Sequence, residues 1–141
     1  MRAYRNHEHY SDPTAGAAVG RVMREQGRER RWRLPVTCRR KVYVASKYAG
    51  DTEENVRLAV GYCRYVIEEG YIPIASHLLY PQMLDDSNPH ERELGLMFGL
   101  ALLAICEEVW VFGEVSEGMA REIEEAMRLH KTVKFIKGAW A

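Results

Sequence analysis

The sequence predicts an α/β fold, a Rossmann-like three-layer sandwich with a short parallel sheet of order 2-1-3-4, preceded by an N-terminal helical arm. Three observations carry this. From Lys41 onward, short β-branched and aromatic runs alternate with stretches of helical apolar periodicity, β-α-β-α-β-α-β. Such alternation makes the sheet parallel with right-handed crossovers. The run Val109-Trp110-Val111-Phe112 is unbroken and apolar, as in a strand covered on both faces. The chain before this pattern differs in charge: residues 1–41 hold 11 Lys and Arg against 4 Asp and Glu, a net of +7, and the remaining 100 hold 9 against 16, a net of −7. The expected organisation is a basic arm with one helix over residues 1–40 and an α/β domain over 41–141.

Each element has its own warrant. Asp12 can cap a helix and Pro13 fits its first position. That helix runs to about Arg31 with a stripe of Ala15, Ala18, Val19, Val22 and Met23, too thin to be stable alone, and Pro35 ends the arm. Val42-Tyr43-Val44-Ala45 is the first strand, followed by the turn-rich Ser46-Lys47-Tyr48-Ala49-Gly50. Asp51 with Glu54 forms a capping-box pattern. The helix after it is expected to bury Val56, Ala59, Val60, Cys63, Val66 and Ile67 before Gly70 terminates it. Tyr71–Ala75 is the second strand, placed at an edge by Pro73.

A loop from Ser76 to Asn88 is long for a compact α/β unit, which points to function. Asn88 and Pro89 open the next helix as cap and first-turn proline, with Leu94, Met97, Phe98, Ala101, Leu102 and Ile105 as its expected buried stripe. The strand Val109–Phe112 breaks at Gly113, and Ser116 stands as N-cap for a helix to about His130. Val133–Ile136 is the last strand. The ligand crevice should lie between the first and third strands, where the strand order reverses.

Composition excludes several classes. A chain of 141 residues, 47% hydrophobic and 28% charged, is long enough for one domain with a real core. No run approaches the roughly 18 apolar residues of a membrane span and no signal peptide opens the chain, so a cytoplasmic protein without a membrane partner is expected. Cys38, Cys63 and Cys106 are odd in number and lack a CxxC pair, which argues for reduced thiols and against zinc. His7 and His9 alternate without a further ligand beside them and read as surface residues. Neither a metal nor a cofactor is expected. The arm reads as a solvated helix with Arg on its outer face, or as a segment that docks on a neighbouring subunit. Nucleic-acid binding rests on its charge alone and is not expected.

A strand that ends in a short loop and turns into a helix presents unpaired backbone N–H groups at the carboxyl end of the sheet, where open α/β folds bind anions. Ser116 marks that point here, and Glu122 lies in the first two turns of the helix, so its carboxylate can face the same crevice.

Residues 41–136 resemble the 2-deoxyribosyltransferase superfamily, which includes nucleoside 2-deoxyribosyltransferases and 2-deoxynucleoside 5-phosphate N-hydrolases, and most of all its branch carried by phages and mobile elements. Val44-Ala45-Ser46 followed by Gly50 is similar to the family's strand ending in a Gly/Ser-rich phosphate or sugar loop. His77 matches a histidine of the N-hydrolase branch. Ser116 and Gly118 match small phosphate-binding residues at the start of the third helix. Glu122 with Ala126 matches Gly-x-x-x-Glu-x-x-x-Ala, whose glutamate is the nucleophile. The resemblance implies Glu122 and His77 as catalytic residues and Ser46, Lys47, Tyr48, Gly50, Ser116 and Gly118 as ligand-binding ones, with a nucleoside or nucleotide as ligand. Two departures stand against it. Gly99 occupies the place of the family's second-helix aspartate, for which Asp85, Asp86, Glu91 or Glu93 can substitute as the acid if the long loop brings one in, and Ile123-Glu124 replaces its Leu-Gly.

The chemistry is consistent with those roles. Breaking an N-glycosidic bond builds positive charge on the sugar, which a carboxylate stabilises or attacks, and a second group must protonate or hold the base. By its residue type alone, Glu122 reads as an exposed glutamate favoured by the helix dipole, and His77 equally as a structural loop histidine. Tyr48, Tyr80 and Trp110 can stack on a base, although Trp110 inside a strand reads as core. Two functions stay open: an N-glycosidic hydrolase or deoxyribosyltransferase acting through Glu122, and a non-catalytic nucleotide-binding sensor or sequestering protein that has lost its acid at Gly99. The second helix is apolar on more than one face, which, with the resemblance, implies a homo-oligomer.

Overall fold

Four strands form one parallel sheet: β1 (Lys41–Ala45), β2 (Ile72–Ile74), β3 (Glu108–Phe112) and β4 (Thr132–Ile136). Their order, β2-β1-β3-β4, is the expected one. The structure is a computed structural model that describes residues 13–138. The chain divides into two units, 1–38 and 39–141, a little ahead of the expected boundary.

Among the described residues of the first unit, the helix α1 (Pro13–Arg33) is followed by a 3-10 turn at Val36–Cys38. Val19, Val22 and Met23 of its stripe are exposed. The proposed cap Asp12, and His7 and His9, lie outside the described residues.

In the second unit the strands are linked by α2 (Thr52–Glu68), α3 (Pro89–Ala104) and α4 (Glu117–Arg128). Alternation along the pleat decides the layers. Val42 and Val44 of β1, with Trp110 and Phe112 of β3, pack against Tyr62 and Val66 of α2. Tyr43 and Ala45, with Val109 and Val111, face the other way onto Leu103 of α3 and Met119 and Ala126 of α4. Two cores thus lie on opposite faces of one sheet. β1 and β3 are central and almost wholly buried. β2 is an edge strand, which Pro73 tolerates because one side of that strand needs no ladder bond.

The caps follow the sequence in most places. Asp51 accepts from the Glu54 backbone N–H, but the Glu54 carboxylate pairs with Arg57 instead of reaching back, so only half of the capping box forms. Asn88 accepts from the N–H groups of His90 and Glu91, and Ser116 from that of Met119. The long loop is not structureless: it holds 3-10 turns at Ser76–Leu78 and Tyr80–Gln82.

Two buried stripes need correction. On α2, Val60 and Ile67 are exposed and Tyr62 is buried instead, stacked on Phe112 with ring centroids 4.5 Å apart. Tyr62, an aromatic with a polar tip, takes the inward position two residues beyond Val60. On α3, Met97, Phe98 and Ile105 are exposed, and Gly99 and Leu103 are the buried residues. A helix apolar nearly all round gives periodicity no phase to lock onto.

The amino end of the sheet is tied by charge. Buried Glu108 accepts from Lys134 of β4 at 2.9 Å, lies 3.9 Å from Arg40, and takes a hydrogen bond from the indole of Trp110. Lys41 pairs with Glu107 beside it. The carboxyl end is left open.

Candidate functional site

At that open end a cavity of about 620 Å³ is bounded by the loops after β1 and β2, the start of α3 and the start of α4. Ser46 enters directly from the end of β1, and Ser76 and His77 from the turn after β2. Ser116 and Gly118 come from the beginning of α4, whose first N–H groups have no intrahelical partners. Glu122 lies one turn further along that helix and also lines the cavity. The crevice therefore lies between β1 and β3, at the reversal of strand order.

The structure brings together six of the residues singled out above: Ser46, Tyr48, His77, Ser116, Gly118 and Glu122. It does not bring in Lys47 and Gly50. Both sit in the exposed turn beside the cavity and do not line it, and Gly50 serves that turn through its positive φ of 101°. Tyr80 lines the cavity with its ring 5.2 Å from that of Phe98, whereas Trp110 is core, packed edge-on against Tyr71.

Electrostatics single out Glu122. Burial pushes its carboxyl up from an ordinary 4.5 to about 7, against a hydrogen bond from Tyr43 that pulls it down. A carboxylate held near neutrality in a cavity is a recurrent mark of a functional group. Tyr43 is wholly buried, and burial followed by the charge of Glu122 holds its phenol well above the usual range. Its hydroxyl is also 2.7 Å from Ser76 Oγ.

His77 shares a 2.9 Å hydrogen bond between its Nε2 and Ser46 Oγ, and burial lowers it from 6.5 to about 4. It is therefore neutral near pH 7. On the far wall Arg121 of α4 pairs with Glu93 of α3 at 3.2 Å.

Tyr43 is the residue that sequence reasoning missed. In the sequence it reads as one more apolar position of a strand. The available signal was its phase: alternation puts it on the same face as Ala45 and so toward α4, the helix that carries Glu122.

Comparison with known proteins adds a family and a fold. Residues 40–136 match a family described as a domain of unknown function, DUF7768. The chain belongs to that family. No curated protein matches significantly. Among solved structures, a 2-deoxyribosyltransferase from the psychrotolerant bacterium Bacillus psychrosaccharolyticus is similar, with a TM-score of 0.56 and 14% identity over 67% of this chain and 70% of that one. At that identity the likeness is one of fold. It agrees with the order of strands and helices read from the sequence. No described helix is long and apolar enough to cross a membrane.

Proposed function

We propose that the domain binds a nucleoside or nucleotide and cleaves or transfers at its N-glycosidic bond, with Glu122 as the nucleophile. The observation that carries this is the placement of Glu122, a part-buried carboxylate held by Tyr43 at the sheet's carboxyl end, inside a cavity large enough for a nucleoside. The fold shared with a 2-deoxyribosyltransferase supports it.

In this reading the ionised Glu122 attacks the anomeric carbon, the C–N bond breaks, and its electron pair leaves with the base, which takes up a proton. Water, or a second base, then displaces the carboxylate from the glycosyl-enzyme ester. The Tyr43 hydroxyl steadies the carboxylate before attack. The start of α4 at Ser116 and Gly118 holds the sugar or a phosphate on it. His77, neutral near pH 7, acts by orienting Ser46 and not as a charged acid. Holding the leaving base then falls to polar groups along the cavity wall, Asp86 and Glu91, since Glu93 is paired with Arg121.

Incubation with a panel of nucleosides and 2-deoxynucleoside 5-phosphates, followed by chromatography, should show free base from at least one. Glu122→Gln should abolish release and leave binding largely intact, because the carboxylate acts mainly on the transition state. The glycine at position 99 favours a second reading, a nucleotide binder without catalysis. Tight binding with no free base from any member of the panel would establish that reading instead.

A further inference from the structure

Gly99 stands where the resembled superfamily carries an aspartate, and the structure gives a reason for the exchange. A Cβ built on Gly99 would lie 2.9 Å from Ser76 Oγ and 3.2 Å from the Tyr43 hydroxyl. The first distance is shorter than side chains tolerate, so the volume beside Gly99 belongs to those two hydroxyls. They are themselves 2.7 Å apart and buried. The Tyr43 phenol in turn interacts with the Glu122 carboxyl, each perturbing the other's proton affinity. An ionised carboxylate only accepts, so the phenolic O–H donates to Glu122 and the phenolic oxygen is left to accept from Ser76.

We infer that Ser76 is a positioning residue for Glu122, acting through Tyr43 in the space that Gly99 leaves open. Hydrogen bonds in a chain polarise one another in a low-dielectric interior. Donation by Ser76 makes Tyr43 the stronger donor and favours the ionised form of Glu122. It also fixes the phenolic O–H in one direction. The place beside Gly99 is thus filled by the hydroxyls of a serine–tyrosine pair.

Other charged and titratable groups face the same cavity. Tyr48, His77 and Tyr80 come from the loops after β1 and β2, and Asp86, Glu91, Arg92 and Glu93 from the region where α3 begins. Glu117 and Arg121 share α4 with Glu122. All of these persist in each variant below, so differences among variants isolate the hydroxyl pair.

The inference rests on Glu122 as the reacting carboxylate, and its test reads that carboxylate directly. In the full chain labelled at the glutamate carboxyl carbons, NMR titration follows Glu122, assigned by its loss in Glu122→Gln. Tyr43→Phe should raise the midpoint by about one pH unit and Ser76→Ala by roughly half that. Gly99→Ala, which removes no polar atom but displaces the serine hydroxyl, should move it in the same direction as Ser76→Ala. Ser76→Thr should restore the wild-type midpoint. If Ser76→Ala does not fold, Gly99→Ala carries the same reading. A wild-type midpoint in both variants, or a Ser76→Thr midpoint displaced as far as that of Ser76→Ala, overturns the inference. Should the titrations behave as expected while no substrate releases base, the positioning role stands and the proposed reaction falls.

Discussion

Between pH 4.5 and 6.5 this protein should hide two opposed titrations, and single substitutions should expose them. Glu122 moves from 4.5 to about 7 on folding, and His77 from 6.5 to about 4, both through burial. Each displacement corresponds to about 3 kcal/mol. The folded-state value of Glu122 is raised, so its favourable contribution is complete below pH 4.5 and disappears as pH climbs through about 7. The folded-state value of His77 is lowered, so its contribution is complete above pH 6.5 and disappears as pH falls toward 4. Over the shared window the two slopes, about 1.4 kcal/mol per pH unit each and of opposite sign, cancel.

Urea unfolding at half-unit pH steps should therefore reveal a slope in each variant that the wild type lacks. Glu122→Gln should gain stability with pH from 4.5 to 6.5 and, at pH 8.5, exceed the wild type by about 3 kcal/mol, on the order of 10 °C in Tm. At pH 4 it should match the wild type. His77→Gln should instead lose stability from pH 4.5 to 7. The carboxylates lowered by their partners, such as Glu54 with Arg57 and Glu125 with Arg128, add a slope common to all three proteins. A Glu122→Gln curve parallel to the wild type at every pH would refute the account of the site.

Base release should rise with pH through about 7 as Glu122 ionises, with no second inflection from His77 above pH 5, measured as initial rates of base formation. Tyr43→Phe should move that inflection about one pH unit upward and reduce the rate at pH 7 about fivefold, recoverable by raising the pH. Gly118 has nothing within 4 Å of a built Cβ. Gly118→Val should accordingly leave the melting temperature within about 3 °C but abolish ligand binding by calorimetry, because the ligand and not the protein fills that space. Met97, 57% exposed on α3, should lie in an interface between copies. Sedimentation is expected to show a species heavier than 16.3 kDa that Met97→Glu dissociates, and a wild-type monomer at micromolar concentration would exclude the interface.

Strand order, caps and the location of the crevice were legible because each rests on local chemistry. An apolar run, a proline at an edge and a serine ahead of a helix state their structure within a few residues. The inward faces of α2 and α3 were less legible. Choosing Tyr62 over Val60, or Gly99 and Leu103 over Phe98 and Ile105, depends on which partner surface the helix meets, and an all-round apolar helix does not encode that choice locally. The site divided in the same way. Glu122, Ser116 and Gly118 sit on one helix start and could be found together. Tyr43 joins them only through a contact between elements almost eighty residues apart in sequence. Lys47 and Gly50 belong to the loop that the resemblance singles out, but they do not line the cavity.

The ion pairs at the amino end of the sheet act as a ruler for the opposite end. A strand that slips by one residue turns every side chain to the other face. In β1 such a slip would send Tyr43 toward α2 and offer Val42 or Val44 to Glu122. Lys41 against Glu107 and Glu108 against Arg40 penalise that slip at the strand starts, about 16 Å from Ser46 at roughly 3.3 Å per residue, and Lys134 holds Glu108 from the middle of β4. Damage at Glu108 should therefore surface as a fault in proton affinity at Glu122, far from any charge that was altered.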